Sequence, residues 1–179
     1  MLNIPTAITI SRILLVPVFI YFVTVLKNSF SGALVFAVAS ATDFLDGYLA
    51  RRSQQVTKFG VLLDPIADKI LVISALIVLV DQELIKAWIA IVIIIREFLV
   101  TGLRLVAVSR EIYISAETGG KLKTGMQIAA ILLLFIGHST VLGWTSAGLS
   151  FAGVICLWIS MIIGIFSGIK YFIYFYKRI

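Results

Sequence analysis

Residues 43–68 read DFLDGYLARRSQQVTKFGVLLDPIAD and place four aspartates inside or beside segments that are apolar enough to be buried in lipid. A carboxylate at membrane depth costs about 2.5 to 3.5 kcal/mol on insertion scales, so aspartates in such segments point to a function. The first pair, Asp43 and Asp46, has three-residue spacing, and the second pair, Asp64 and Asp68, has four-residue spacing. Each pair therefore shares one face of its own helix, and side-by-side packing of the two helices makes all four carboxylates converge.

The composition of the whole chain is that of an integral membrane protein. Of its 179 residues 61% are hydrophobic, and the mean hydropathy of +1.11 is far above that of soluble domains. The formal net charge is +6, but the basic residues are spread over helix ends and short loops. This spread argues against a nucleic-acid partner and favours membrane lipid or an anionic substrate. The single cysteine, Cys156, lies in an apolar run, so we expect core packing and no disulfide framework.

Apolar runs of about 20 residues predict transmembrane helices in this chain. We predict one domain, residues 1–179, of the all-α class: an integral membrane bundle of six helices in which short connections join antiparallel neighbours. The opening turn at Asn3 to Thr6 is compatible with a short interfacial segment before a first span that is retained. The predicted spans are residues 10–27, 30–50, 64–81, 86–108, 121–138 and 148–172.

The distribution of lysine and arginine predicts how the bundle lies in the membrane. With the N-terminus inside, 13 of the 15 basic residues belong to the inner half, and only Lys27 and Lys86 fall outside. Because the cytoplasmic side normally carries the excess, both termini are expected to be cytoplasmic. We therefore expect a protein of the bacterial cytoplasmic membrane, with the four aspartates facing the cytoplasm.

The converging carboxylates predict a binding site for a hard metal ion. One cysteine and one histidine cannot supply a zinc site of nitrogen and sulfur ligands, whereas carboxylates plus a phosphorylated ligand suit Mg²⁺ or Mn²⁺. Two metal ions held by shared carboxylates are a common arrangement for displacement at phosphorus. We predict two ions per site, with candidate ligands Asp43, Asp46, Asp64 and Asp68.

Parts of the same stretch also have purely structural explanations. Asp64 followed by Pro65 is typical of a helix start, with aspartate as the cap and proline at the first helical position. Arg51 and Arg52 are typical of basic residues at a cytoplasmic membrane surface, although Arg51 can also bind phosphate oxygens with two parallel hydrogen bonds. A helix cap leaves the other three aspartates unexplained, so the metal site is the stronger interpretation.

The stretch resembles the signature of the CDP-alcohol phosphatidyltransferases at every specified position, since it reads Asp43-x2-Asp46-Gly47-x2-Ala50-Arg51-x8-Gly60-x3-Asp64-x3-Asp68. Members of that family transfer the phosphatidyl group of CDP-diacylglycerol to an alcohol and release CMP. The resemblance implies six spans, a homodimer, metal binding by all four aspartates and a general-base role for Asp68. It also implies a border around the cytidine diphosphate formed by Gly47, Ala50, Arg51 and Gly60.

At the N-terminus, Asn3, Thr9 and Arg12 resemble the opening pattern of the same family. We expect them to border the nucleotide or the lipid headgroup. Interfacial capping and snorkelling are the alternative explanation for these three residues.

Two later segments, REFLVTGLR at residues 96–104 and GKLKT at residues 120–124, resemble the phosphatidylglycerophosphate synthase branch of the family. That branch uses sn-glycerol 3-phosphate as the acceptor. A phosphorylated acceptor needs cations beyond those that serve the nucleotide, and the candidates at the cytoplasmic ends of the fourth and fifth spans are Arg104, Arg110, Lys121 and Lys123. Basic residues are also expected at membrane surfaces without any ligand, so singly each remains open.

Arg96 and Glu97 lie inside an apolar run, which predicts a functional or structural ion-pair element. Adjacent residues do not face each other on a helix, so a pair between Glu97 and Arg104, one heptad away, is an alternative. Gly164-x3-Gly168 in the last span predicts close helix packing, within the chain or between chains.

Other functions remain open from the residues alone. Converging aspartates could define the permeation site of a divalent-cation transporter, but all four lie near one membrane face and Arg51 would repel a passing cation. A membrane adaptor that keeps the pattern without activity is a second alternative. Within the enzyme class, another acceptor such as inositol phosphate is the nearest one.

Overall fold

The computed structural model shows a helical chain, described over four ranges of backbone and a smaller set of side chains. Backbone is described for residues 4–53, 58–109, 118–139 and 146–176, and side chains for residues 10–42, 67, 69–107, 122–139 and 146–176. The helices are α1 (Ile4–Ile20), α2 (Ser29–Ser53), α3 (Lys58–Asp81), α4 (Ala87–Ser109), α5 (Thr118–His138) and α6 (Ser146–Tyr176). Over these ranges there is no strand, which confirms the all-α prediction.

Each predicted span corresponds to one helix, but two predicted boundaries need correction. α1 begins at Ile4, six residues before the predicted first span, so residues 4–6 of the predicted opening turn are helical. α3 begins at Lys58, six residues before Asp64, so Asp64 and Pro65 lie inside the helix. The interpretation of Asp64 as a helix cap is therefore wrong. A proline has no N–H and removes one backbone hydrogen bond from a helix, yet here the helix continues on both sides of it.

The first span changes its helical type before it ends. α1 contains Pro17, and Tyr21–Val25 follows it as a single π-helical turn. The chain then reverses at Lys27, whose φ of 47° is left-handed. The Asn28 Oδ1 accepts a hydrogen bond from the Ser31 backbone N–H at 3.0 Å, which caps the start of α2. This short reversal places α1 and α2 side by side.

Aromatic side chains join the first two helices to the fifth in the core. Phe19, Phe36 and Phe135 are fully buried. The ring centroid of Phe19 lies 5.9 Å from that of Phe36 and 5.4 Å from that of Phe135, within the range of favourable aromatic pairs. Leu76 and Leu79 extend the same buried cluster into α3.

The helices α5 and α6 form the most extensive contact between elements, and glycines allow it. A Cβ atom on Gly153 would lie 3.1 Å from the Leu134 backbone nitrogen and 3.2 Å from the Ala130 carbonyl oxygen. A Cβ atom on Gly137 would lie 2.6 Å from the Ser150 backbone nitrogen. These distances leave no room for a side chain, so the two backbones approach each other closely.

Large apolar side chains are exposed on the outside of the helices, whereas two charged side chains are buried. Phe151 and Phe166 are 69% and 64% exposed, while Arg12 and Lys123 are only 2% and 3% exposed. Among the described helices α6 is the one long and apolar enough to cross a membrane, with a mean hydropathy of 2.4. Shorter apolar helical stretches cover residues 10–25, 29–42 and 122–138.

Candidate functional site

The four aspartates occupy matching levels on two consecutive helices. At 1.5 Å per residue, Asp43 and Asp46 lie about 15 and 10 Å before the end of α2, while Asp68 and Asp64 lie about 15 and 9 Å after the start of α3. The two helices contact each other and are joined by residues 54–57. An antiparallel arrangement over so short a connection puts Asp43 level with Asp68, and Asp46 level with Asp64.

This placement suits a divalent metal ion by the chemistry of its donors. Two carboxylates from each helix, at the same end of a helix pair, make a set of oxygen ligands that leaves coordination positions for phosphate oxygens. The four side chains lie outside the part of the chain whose side chains are described, so the metal ligation remains a prediction. Among the side chains that are described, no three His, Cys, Asp or Glu residues form a potential metal site.

The predicted nucleotide ligands lie near the same helix ends. Three are in the last two turns of α2 and one is in the first turn of α3, namely Gly47, Ala50, Arg51 and Gly60. Thr9 belongs to α1, which packs against both α2 and α3, and Asn3 lies outside the described residues. No side chain of this group is described, and the binding of the nucleotide by these residues remains a prediction.

The predicted acceptor ligands lie at the C-terminal end of α4 and the N-terminal end of α5. Arg104 is exposed, and its guanidinium carbon lies 6.0 Å from the centroid of the Tyr171 ring, a cation–π arrangement. Lys121 is in the first turn of α5 without a described side chain, and Arg110 lies beyond the described end of α4. Lys123 is almost fully buried. Of the four, the structure therefore shows one cation at the surface and one in the interior.

Glu97 is the centre of a charged cluster between α3, α4 and α5. Lys69 Nζ donates to Glu97 Oε2 at 3.2 Å, and Arg96 Nη1 donates to Glu97 Oε1 at 2.8 Å. Lys123 Nζ donates to the same Oε1 atom. All four side chains are at most 17% exposed. We refer to Lys69, Arg96, Glu97 and Lys123 as the Glu97 cluster; it holds three cations and one carboxylate.

The helix α6 contributes polar atoms that hold two members of this cluster. Arg96 Nε donates to the Gly164 carbonyl oxygen at 2.8 Å, and Ser160 Oγ donates to the Lys123 carbonyl oxygen at 3.1 Å. A Cβ atom on Gly164 would lie 3.5 Å from Arg96 Nε and 3.6 Å from the Lys123 side chain. The motif formed by Gly164 and Gly168 therefore packs within its own chain, which was one of the two predicted outcomes.

The sequence predicted an ion pair at Arg96 and Glu97 but missed most of the cluster. The rule that adjacent residues do not face each other is wrong here, because the long Arg96 side chain reaches both Gly164 and Glu97. The alternative pair between Glu97 and Arg104 does not form: among the described side chains, Glu97 pairs with three other cations. Lys69 and Lys123 are separated from Glu97 by 28 and 26 residues. In the sequence, Lys69 and Lys123 were each visible only as a charged residue near the end of an apolar span.

The contacts of the Glu97 cluster also indicate at which height in the bundle the aspartates of α3 lie. Lys69 directly follows Asp68 in α3, and Lys69 contacts Glu97, which in turn contacts Lys123. The turn of α3 that carries Asp68 therefore lies at the same level as the start of α5, where two predicted acceptor ligands are found.

A small cleft with mixed polar and apolar walls continues from the cluster into the bundle. It is lined by Lys69, Glu97, Lys123, Thr124 and Gln127 together with apolar residues, and its volume of about 20 Å³ is sufficient for one water molecule. Gln127 is 2% exposed, and its Nε2 atom has no hydrogen-bond partner among the described residues. Gln127 therefore places a buried amide beside the cleft.

Comparison with known proteins identifies the family. The model of the CDP-alcohol phosphatidyltransferase family matches residues 2–166. Proteins named CDP-diacylglycerol--glycerol-3-phosphate 3-phosphatidyltransferase from Bacillus subtilis and Rickettsia typhi are 40% and 39% identical to this chain, over 96% of it and 94% and 96% of their own lengths. The protein of that name from Escherichia coli is 37% identical over 87% of this chain and 90% of its own. The chain therefore belongs to the CDP-alcohol phosphatidyltransferase family.

Proposed function

We propose that the protein transfers the phosphatidyl group of CDP-diacylglycerol to sn-glycerol 3-phosphate and forms phosphatidylglycerophosphate and CMP. The observation that carries this proposal is the similarity, over nearly the whole chain, to proteins whose name states that donor and that acceptor. Support from the residues comes from the aspartate motif and from the cations at the ends of α4 and α5.

Asp68 is the proposed general base of the transfer. The hydroxyl oxygen of the acceptor attacks the phosphorus that carries the diacylglycerol, the bond from that phosphorus to the CMP oxygen breaks, and Asp68 accepts the hydroxyl proton. A positioned base of this kind contributes about 10²- to 10⁴-fold to a rate. The position of Asp68 next to Lys69, at the level of the start of α5, supports its access to an acceptor held by α4 and α5.

The proposed cofactor is Mg²⁺ or Mn²⁺, with two ions held by Asp43, Asp46, Asp64 and Asp68. When bound, such ions stabilise negative charge on phosphate oxygens and favour departure of CMP. The residues near the helix ends orient the donor: Arg51 binds phosphate oxygens of the cytidine diphosphate, and Gly47 leaves space for the ligand beside the backbone. The remaining proposed contacts of the nucleotide are Ala50, Gly60, Asn3 and Thr9.

The proposed acceptor phosphate site is formed by Arg104, Arg110, Lys121 and Lys123. Arg104 is exposed and can meet a soluble ligand directly. Lys123 already contacts Glu97, so we expect it to act from the interior side of the site. A phosphate on the acceptor would supply a counter-ion to the exposed Arg104, whereas Lys123 already has one in Glu97.

We also propose that the single domain is a six-helix membrane bundle with its site facing the cytoplasm, and that it works as a homodimer. The apolar exterior of the helices supports burial in lipid, and the excess of basic residues at the predicted inner ends supports the orientation. In this position lipid holds the acyl chains of the donor, while the cytidine diphosphate and the acceptor approach from water.

The test is CMP release by the purified protein in lipid nanodiscs containing CDP-diacylglycerol. We expect release with sn-glycerol 3-phosphate and Mg²⁺, loss of release on addition of EDTA, and recovery with excess Mg²⁺ or Mn²⁺. Inositol phosphate and serine serve as the competing acceptors. Release with inositol phosphate but not with sn-glycerol 3-phosphate would replace the proposed acceptor, and no release with any acceptor would overturn the proposal.

A further inference from the structure

We propose that Glu97 is a positioning residue for the aspartate site, acting through Lys69 to hold α3 in the place where Asp64 and Asp68 bind metal. This inference rests on the proposed function, because it assigns a role in that same site. Glu97 itself touches neither the metal nor the substrates in this proposal.

The two oxygen atoms of the Glu97 carboxylate have different partners. Glu97 Oε1 accepts hydrogen bonds from Arg96 and Lys123, while Oε2 accepts the hydrogen bond from Lys69. Arg96 has a second acceptor, the Gly164 carbonyl oxygen. For Lys69 the one partner in the described part of the chain is Glu97. Removal of this carboxylate therefore takes away the described side-chain partner of both Lys69 and Lys123, and Lys69, 17% exposed against 4% for Lys123, is the one nearer to water.

The Glu97 cluster carries more positive than negative charge. Three cations surround one carboxylate, and all four side chains are largely buried. A buried cation without a counter-ion is strongly unfavourable, and like charges at short range repel each other in a medium of low polarity. Without Glu97 the most favourable change is movement of Lys69 toward water. In our proposal a shift or rotation of α3 at Lys69 accompanies this movement.

A movement of α3 at Lys69 would also displace the two aspartates of the same helix. Asp68 and Lys69 are consecutive residues of one uninterrupted helix, and Asp64 lies one turn earlier. A rigid helix transmits a rotation or a shift at Lys69 to both aspartates. A binding site for a metal ion tolerates displacements of only about 0.5 Å or 10 to 20°. Residues that support metal ligands in this indirect way typically change affinity or activity by about 10- to 100-fold.

The experiment measures Mn²⁺ binding by electron paramagnetic resonance without substrates, and kcat and KM for both substrates in parallel. For Glu97→Gln and for Lys69→Met we expect Mn²⁺ affinity to fall by about 10- to 100-fold and kcat to fall with it. The double variant should bind Mn²⁺ no more weakly than Lys69→Met alone, since both changes break the same link. Glu97→Asp keeps the charge and should recover part of the affinity. The matched control is Glu83→Gln, an exposed glutamate in the turn after α3, with unchanged values.

Several outcomes would overturn the inference. They are wild-type Mn²⁺ affinity in Lys69→Met, fully additive losses in the double variant, or coupling of Glu97 to Lys123→Met in place of Lys69→Met. A fall in thermal stability with unchanged Mn²⁺ affinity would show a role in folding alone. Lys69→Met decides the matter even if Glu97→Gln does not fold. Because Mn²⁺ binding is measured without substrates, failure of the proposed transfer reaction is seen separately, as absence of CMP release in the wild-type protein.

Discussion

Lys123 shows at the scale of single residues what the sequence could predict and what it could not. A lysine near the start of an apolar helix is expected at the membrane surface, with its charge in water. In the fold Lys123 is 3% exposed and contacts Glu97, which lies 26 residues earlier in the chain. The presence of a charge was visible in the sequence. Its partner was not, because contacts between distant residues depend on how whole helices pack.

Asp68 leads to a prediction about catalysis. Asp68→Asn removes the proposed base while keeping the size of the side chain, so we expect kcat to fall by about 10²- to 10⁴-fold. Binding of cytidine diphosphate should remain measurable, because the proposed nucleotide contacts lie elsewhere in α2 and α3. The measurements are CMP release and isothermal titration of CDP in the presence of Mg²⁺.

Asp81→Asn is the matched control for this variant. Asp81 is the last residue of the same helix, is exposed, and accepts a hydrogen bond from the neighbouring Gln82 side chain at 3.1 Å. Its substitution should leave turnover unchanged. Normal turnover in Asp68→Asn would contradict the assignment of the base.

At the scale of elements, hydropathy located the helices but not all of their ends. The third span was predicted to begin at residue 64, where Asp64-Pro65 is a common start signal for a helix. α3 begins at Lys58, so the helix also includes the apolar residues 59–63 that precede Asp64. The π-helical turn at Tyr21–Val25 was also missed. A change from four-residue to five-residue hydrogen bonding alters no hydrophobic pattern that a sequence would reveal.

The close contact of α5 and α6 leads to a prediction about stability. A methyl group on Gly153 would meet backbone atoms of α5 at 3.1 and 3.2 Å, so Gly153→Ala forces the helices apart. We expect a loss of about 1 to 3 kcal/mol in the free energy of unfolding, the usual cost of overpacking. Thermal unfolding of the detergent-purified protein, followed by circular dichroism, measures it as a lower Tm.

Gly148→Ala provides the comparison within the same helix. No atom lies within 4 Å of a Cβ built on Gly148, so this substitution gains helix propensity of up to about 1 kcal/mol without a clash. Its Tm should equal or exceed that of the wild type. A Gly153→Ala variant as stable as Gly148→Ala would contradict the close packing of the two helices.

At the scale of the whole molecule, the number and order of the helices followed from the sequence. Six apolar runs with short connections leave few arrangements other than an antiparallel series, and the described ranges contain six such helices. The orientation in the membrane was predicted from Lys27, Lys86 and the 13 basic residues on the other side. Orientation depends on the membrane as well as on the chain, so it needs an experiment in cells.

Cysteine labelling tests the predicted orientation. In a Cys156→Ser background, Gln82→Cys lies in the turn between α3 and α4, on the predicted outer side, and Gln54→Cys lies in the predicted inner connection. A maleimide that cannot cross membranes should label Gln82→Cys in intact bacterial cells and Gln54→Cys only after lysis. The opposite pattern would reverse the predicted topology.

The attachment of the Glu97 cluster to α6 has a consequence for the order of assembly during synthesis. Arg96 donates to the Gly164 carbonyl oxygen and Ser160 donates to the Lys123 carbonyl oxygen, and both of these partners belong to α6, which leaves the ribosome after α3, α4 and α5. Chains are made at about 5 to 20 residues per second, so the charges of α3, α4 and α5 wait several seconds for α6. A chain that ends before residue 160 therefore lacks the Gly164 contact of the Arg96 side chain and the Ser160 contact of the Lys123 backbone.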